Sequence, residues 1–393
     1  MNSEDIVIVS GARTPMGGLL GTLSGASAIA LGSTAIAAAV ERAGISAADI
    51  DELLMGCVLP AGLKQGPARQ AALNAGVPDT TGCVTLNKLC GSGMQALIYA
   101  HDQLKAGSAR IALAGGMESM TNAPHVLPGF RQGLKAGHAE IKDHMFFDGL
   151  EDAYTGRLMG SFAQQTADDE GLTREAMDAF AIESLTRARR AIEDGSLVAE
   201  TAPVTLQTRK GEQVIKDDEQ PLTANPDKIP GLRPAFTKDG TITAANSSSI
   251  SDGASALVLT TAAEAARRGL KPLARIVAHG RNSHQPALFT TAPIGAIKQA
   301  LSRANWQTDD VDLWEINEAF AMVTMLAMRD LKLDHARVNV HGGACAQGHP
   351  IGSTGSRIVV TLMHALQKYG KKKGVAALCI GGGEGLAVAI ELL

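Results

Sequence analysis

Aromatic residues are scarce in this 393-residue chain, at 3% of the total. A surface that binds nucleic acid by base stacking needs more rings, so none is expected. Excess charge of either sign is lacking too. The formal net charge of −4 leaves no basic footprint for a phosphate backbone. No apolar run reaches the length that crosses a bilayer, so no membrane partner is expected. Cysteine is sparse, with five residues: Cys57, Cys83, Cys90, Cys345 and Cys379. Their number is odd and no C-x-x-C pair occurs, which speaks against a disulfide framework and against zinc. One or two reactive thiols in a reducing compartment fit better. Acidic Glu4 and Asp5 run straight into an apolar strand, leaving no room for a signal peptide, and the chain ends without a peroxisomal signal. A cytoplasmic protein is the expectation.

Small residues are abundant instead, with 43 glycines in a chain that is 45% hydrophobic. That composition suits close helix–sheet packing. The length predicts two or three domain-sized units. Strand-like segments at 6–9, 50–58, 83–86 and 111–114 alternate with helical runs at 28–43, 68–75 and 94–106. Ser27 is the expected N-cap of the first helix and Gly44 its C-cap. The alternation predicts an α/β fold with a mostly parallel, covered sheet. From 121 to 245 the chain becomes richer in charge and proline, around an amphipathic helix at 174–192. This stretch reads as an insertion. Strands at 254–260, 274–279, 312–316 and 375–380 then resume the alternation. Both halves carry a glycine-rich turn, a helix and a strand that closes on glycines. The expected domains are 1–120 with 246–270, the insertion 121–245, and 271–393.

Four side chains could carry chemistry. His349 lies in a loop with Gly342, Gly343, Gly348, Gly352 and Gly355, which let backbone approach a ligand. Cys90 stands where a strand gives way to a helix, so the helix dipole is expected to lower its pKa and favour thiolate. The plainer reading of Cys90 is a core cysteine. Cys379 runs into three glycines, where the N–H groups of Gly381 and Gly382 could hold an oxyanion. Asn317 reads as an N-cap, as a polar orienter of a water or carbonyl, or as both. Cys57, Cys83 and Cys345 read as structural. Glu384 is expected to be solvated or bonded locally, and His341 has no acidic neighbours to make a metal site. Two thiols, a histidine and backbone donors at strand ends form a set suited to acyl transfer through a thioester. A second thiol is superfluous for hydrolysis but useful for moving a proton on the substrate α-carbon.

Four segments in order resemble the motifs of the thiolase family over essentially the whole chain. Asn87-Lys-Leu-Cys-Gly-Ser-Gly93 resembles the nucleophile motif. Asn317-Glu-Ala-Phe320, Gly348-His-Pro350 and Cys379-Ile-Gly-Gly-Gly383 match the other three. The resemblance implies two similar βαβαβαββ halves in an α/β/α/β/α layering, with a loop domain inserted in the first. It implies Cys90 as the acylated nucleophile, His349 as its base and Cys379 as acid/base toward acetyl-CoA. Asn317 would hold a water that, with His349, polarises one thioester oxygen. The N–H groups of Cys90 and Gly381 would hold the other. Ser248 would contact pantetheine, and Leu150, Leu158, Met159, Ala319 and Phe320 would line the acyl and coenzyme A site. Some relatives carry His-Met-Gly where this chain has Leu158-Met159-Gly160, and residues 218–230 hold no counterpart of a nucleotide-binding arginine. The implied activity is an acetyl-CoA C-acetyltransferase that makes or cleaves acetoacetyl-CoA, in fatty acid metabolism. A 3-ketoacyl-CoA thiolase of longer chain length is the alternative. A ketoacyl synthase-like condenser and a non-catalytic acyl-CoA carrier are more distant. Coenzyme A would be a co-substrate, with no permanently bound cofactor and no metal. A homo-oligomer, dimer or homotetramer, is implied.

Overall fold

The computed structural model describes residues 2–393. The first half runs β1 (Ile6–Arg13), a two-residue β2 (Gly17–Gly18), α1 (Ala28–Ala43), β3 (Glu52–Gly56), α2 (Pro67–Asn74), β4 (Gly82–Leu86), α3 (Ser92–Lys105) and β5 (Ile111–Ser119). A long excursion follows. It holds the hairpin β6 (His125–Val126) and β7 (Lys142–Asp143), helices α4 (Met159–Asp169) and α5 (Arg174–Glu193), the hairpin β8 (Val204–Thr208) and β9 (Gly211–Ile215), and α6 (Glu219–Thr223). The chain returns through β10 (Ser251–Thr261) and α7 (Ala262–Arg268). The second half comprises β11 (Ala274–Ser283), α8 (Ala292–Ala304), β12 (Leu313–Ile316), α9 (Ala321–Leu331), the short α10 (Ala344–Gln347), α11 (Thr354–Lys368), β13 (Lys373–Ile380) and β14 (Glu384–Leu392).

The main sheet has the order β12-β13-β14-β11-β1-β10-β5-β3-β4. Only its outer parts are parallel: β3 with β4 and β5, and β12 with β13. The inner pairings are all antiparallel. The expected mostly parallel sheet is therefore corrected. The cause is local: β13 and β14 are joined by a short glycine turn, and two strands so joined must run in opposite directions. Gly382 and Gly383 take φ of 90° and 88°, which a side chain would resist. The halves meet edge to edge through β1 and β11, where Val7 faces Arg275 and Ile8 faces Ala274. The excursion leaves and re-enters the sheet at paired residues, Ser119 opposite Asp252.

Sequence caps act as expected on α1. Ser27 accepts from the Ala30 N–H, and Gly44 closes the helix in the left-handed region. Helices α3 and α11 lie between the halves and contribute Met94, Leu97, Ile98, Ile358, Val360, Leu362 and Leu366 to one shared core. Each such aliphatic side chain contributes about 1.5–3 kcal/mol when fully buried. α11 is buried nearly all round, as a central layer requires. β5 does not stop before its glycines but continues to Ser119. A Cβ on Gly116 would come within 2.0 Å of the Gly352 carbonyl oxygen, so the glycine permits backbone contact with the second half.

Arg13, at the end of β1, fastens the excursion to the sheet. Its buried guanidinium bonds Glu200 at 2.6 Å and Asp218 at 2.6 and 2.9 Å. Asp218 also accepts from the Met16 N–H at 2.9 Å. Replacing Arg13 with Met leaves both carboxylates buried without their cation, and such breakage costs about 3–5 kcal/mol. A fall of that size in unfolding free energy, read by urea titration, is expected for Arg13→Met. An unchanged midpoint would contradict this role.

Candidate active site

Four turns at the ends of core elements carry the candidate residues. Cys90 ends the turn between β4 and α3. Leu89 before it takes φ of 48°, held by its N–H bond to Asn87 Oδ1 at 2.8 Å. Ser92 Oγ accepts from the Lys88 N–H at 2.8 Å and donates to the Leu89 carbonyl at 2.7 Å. The turn is thus fixed by its own polar side chains. Gly91 is required because a Cβ there would lie 2.4 Å from Ile380. Lys88 pairs with Glu384, which stays partly solvated but finds its partner far along the chain rather than locally. That ion pair ties the Cys90 turn to the glycine turn after Cys379.

The sulfur of Cys90 feels N–H groups of Gly381 and of Cys90 itself, which favour thiolate. Burial is the larger effect and, with the Glu118 carboxyl nearby, pushes the thiol up to about 11. The expected helix-lowered thiolate is corrected: removal from water outweighs the two donors. Cys90 keeps some exposed surface as a residue, whereas its sulfur faces dense protein. Cys379 is fully buried. Burial and then the nearness of Cys90 raise its thiol well above the ordinary range. The two sulfurs therefore sense one another.

His349 follows Gly348, whose φ of 109° sets the loop. Its Nδ1 lies 2.6 Å from Thr354 Oγ1. The threonine hydroxyl gives its own proton to the Pro350 carbonyl at 3.0 Å. A hydroxyl has one proton to give, so Nδ1–H must donate and Nε2 keeps its lone pair. Nε2 is buried with no protein partner. Burial, aided by Arg357, pulls the imidazole down to about 3, so the ring is neutral in the free protein.

Asn317 follows β12 and is not an N-cap. α9 begins only at Ala321, with Phe320 in extended conformation before it. Both polar atoms of the Asn317 amide are buried without a protein partner. Such unsatisfied groups are rare and call for a water or ligand. The backbone of Ser248 bonds to this loop, donating to the Ala319 carbonyl at 3.0 Å.

Two apolar clusters flank the sulfurs. Leu89, Cys90 and Leu150 join Val58, Leu59, Met120, Met145 and Ile351, the last from the His349 loop. Cys379, Met159, Ala319 and Phe320 join Phe162, Phe236 and Phe289. Leu158 belongs to neither; it pairs with Glu151 just ahead of α4. Met159 and Leu89 both reach Gly381, within 3.3 Å of where its Cβ would be.

Sequence reasoning missed Glu118. Its carboxylate accepts from the N–H groups of Val58 at 2.9 Å, Leu59 at 3.1 Å and Gly352 at 2.9 Å. Cys57 adds a weaker thiol contact at 3.7 Å. Burial pushes the carboxyl up to about 7 despite these donors. Glu118 thus holds the loop after β3 against the loop of His349. The signal in the sequence was an acid inside an otherwise apolar, glycine-containing strand, where an unpaired carboxylate would be untenable.

Two neighbouring thiols and a neutral histidine in the turns of an α/β scaffold form a set suited to acyl transfer. The chain belongs to the thiolase family: the model of the thiolase N-terminal domain matches residues 6–263 and that of the C-terminal domain 270–392. It is 47% identical over 389 residues to the acetyl-CoA acetyltransferase of Cupriavidus necator, covering 98% of this chain and 99% of that protein. The acetyl-CoA acetyltransferase of Schizosaccharomyces pombe is 45% identical, with 100% of each chain covered. The crystal structure of the Bacillus anthracis acetyl-CoA acetyltransferase superposes with a TM-score of 0.97 at 38% identity, covering 100% of this chain and 99% of that one. Acat5 thiolase from Ascaris suum, solved in complex with coenzyme A, gives 0.94 at 41% identity, covering 99% and 100%.

A glutamine at position 118 would present N–H groups to N–H groups and loosen the His349 loop. Glu118→Gln is expected to lower kcat by as much as about 100-fold with little change in KM, since small misplacements carry that penalty. Steady-state kinetics on a variant with native melting behaviour checks this, and an unchanged kcat refutes it. The raised Cys90 thiol makes a second measurement informative. Iodoacetamide alkylation of the free protein should quicken about tenfold per pH unit up to about pH 10. A plateau below neutrality would mean a preformed thiolate.

Proposed function

We propose that this chain is an acetyl-CoA C-acetyltransferase that makes or cleaves acetoacetyl-CoA through an acetyl group on Cys90. The observation that carries the assignment of roles is the free Nε2 lone pair of a neutral His349, together with a pair of sulfurs close enough to perturb one another. Full-length likeness to acetyl-CoA acetyltransferases supports the substrate.

In the condensing direction, His349 Nε2 takes the Cys90 proton as the sulfur attacks the thioester carbonyl of acetyl-CoA. The N–H groups of Cys90 and Gly381, already directed at the sulfur, hold the oxygen as it becomes negative. The coenzyme A sulfur leaves with a proton from Cys379. The resulting Cys379 thiolate removes an α-proton from a second acetyl-CoA. A thiol held well above its usual range is a stronger base once deprotonated, which suits a weakly acidic carbon. The carbanion attacks the acetyl carbonyl on Cys90, and the Cys90 sulfur leaves with the proton held by His349. Asn317, with its unpaired amide, orients the water that shares the enolate oxygen with His349. Ser248 meets the pantetheine arm, while Leu150, Leu158, Met159, Ala319 and Phe320 bound the acyl end.

The apolar side chains of Met159, Phe236, Phe289 and Phe320 beside Cys379 favour a second reading, in which longer 3-ketoacyl chains are also cleaved, as in fatty acid breakdown. The unpaired edge of β4, with Val84 exposed on it, supports assembly into a homo-oligomer, a dimer or tetramer. Five free cysteines fit a reducing compartment such as the cytoplasm. Among the described residues no helix is long and apolar enough to cross a membrane.

Incubation with labelled acetyl-CoA should label the native chain and leave Cys90→Ser unlabelled. Cys379→Ala should take the label yet make no acetoacetyl-CoA. Full labelling of Cys90→Ser would overturn the role of that thiol. Thiolytic turnover of acetoacetyl-CoA against a six-carbon 3-ketoacyl-CoA decides between the two readings. Equal rates favour the broader enzyme.

A further inference from the structure

Away from the thiols, two histidines and an aspartate converge from the two halves of the chain. His101 and Asp102 lie on α3, and His279 lies on β11. His101 Nδ1 is 2.9 Å from Asp102 Oδ1, and His279 Nε2 is 3.4 Å from that same oxygen. The two rings meet edge to face, with centroids 5.3 Å apart and planes at 82°. All three donor atoms fall within 4.8 Å of one another. The cluster is about 14 Å along α3 from its Cys90 end, at the usual rise per residue.

We propose that His101, Asp102 and His279 form a binding site for a zinc-class divalent transition metal, completed by one solvent ligand. Metal–ligand bonds of about 2.1 Å at tetrahedral angles put donor atoms about 3.4 Å apart, close to the spacings to Asp102. The imidazoles close the remaining separation by small ring rotations. Two imidazoles and one carboxylate suit zinc, nickel or copper and do not suit calcium or magnesium, which demand oxygen. Asp102 is 56% exposed on its side chain, whereas His101 and His279 are 14% and 23% exposed. The metal therefore has an open path and a solvent-facing fourth position. The histidines are set in rigid elements. His279 pairs with Val388 in the sheet, and its carbonyl accepts from Arg303 Nη1 at 2.9 Å. A bound metal would cross-link α3 of the first half to β11 of the second. The site is independent of the acyl chemistry. His279 is far in the chain from the adjacent His101 and Asp102, a spacing that no sequence search would flag.

The test uses the full chain, stripped with EDTA and treated with iodoacetamide so that the Cys90 thiol cannot compete. Zinc titration by calorimetry should show one metal per chain, and thermal unfolding should show a raised Tm. His279→Gln should lose both effects. Asp102→Asn should bind at least about tenfold more weakly. Both variants should keep the metal-free Tm and, assayed before alkylation, the native kcat, which excludes misfolding as the cause. Cobalt substitution should give a spectrum without thiolate charge-transfer bands. Unaltered zinc binding in His279→Gln, or thiolate bands with cobalt, would put the metal on cysteines and overturn the proposal. Absence of any Tm shift with zinc, nickel and cobalt would leave only a hydrogen-bonded triad and overturn it equally.

Discussion

Backbone touches backbone where Gly116 meets Gly352, and the rest of the molecule accommodates that contact. No Cβ fits on Gly116 beside the Gly352 carbonyl, nor on Gly352 beside Glu118 Oε2, 2.6 Å from where it would stand. Because the halves come this close, α3 and α11 can share a single core. The turns at their N-terminal ends, carrying Cys90 and His349, are then brought to the same apolar neighbourhood. Glu118 completes the arrangement by accepting N–H bonds from both halves. One carboxylate thus converts close packing into a fixed spacing between loops.

Electrostatics in this neighbourhood favour neutral groups. The Cys90 thiol is pushed up to about 11 and the His349 imidazole down to about 3, both chiefly by burial. A resting thiol and a neutral imidazole carry no charge that must be solvated in a dry site. In the proposed reaction, charge develops only when a thioester arrives, and the backbone N–H groups of Cys90 and Gly381 are already in place beside the sulfur. Preorganised donors of this kind avoid the reorganisation that water would require.

Much of this was legible in the chain, and the illegible parts have physical causes. Ser27 and Gly44 announced the ends of α1 because caps are local devices. The alternation of strands and helices announced the α/β class, to which the solved thiolases with TM-scores of 0.94 and above correspond. Strand direction was misjudged because the turn between β13 and β14 looks, in sequence, like any strand-closing glycine run. Of the readings offered for Asn317, the cap fails because its helix starts four residues later, after Phe320, where the chain bonds to the loop of Asn246 and Ser248. The thiolate expected at Cys90 failed because a dipole argument sees the helix end and not the water excluded around it. The role of Glu118 was missed, although an acid in an apolar strand signalled it, because its partners Val58, Leu59 and Gly352 are distant in the chain and offer only main-chain atoms.

The excursion between β5 and β10 departs at Ser119 and comes back at Asp252, two residues that already face each other across a ladder. Its endpoints are thus fixed by the sheet and indifferent to the length of what lies between, since closing a longer loop adds little entropy. Lineages could therefore trim, extend or exchange this segment, and with it Leu150, Leu158 and Met159, while the thiols stay where they are. Whatever this segment contributes to the pocket can thus be altered without disturbing the ladder that anchors it.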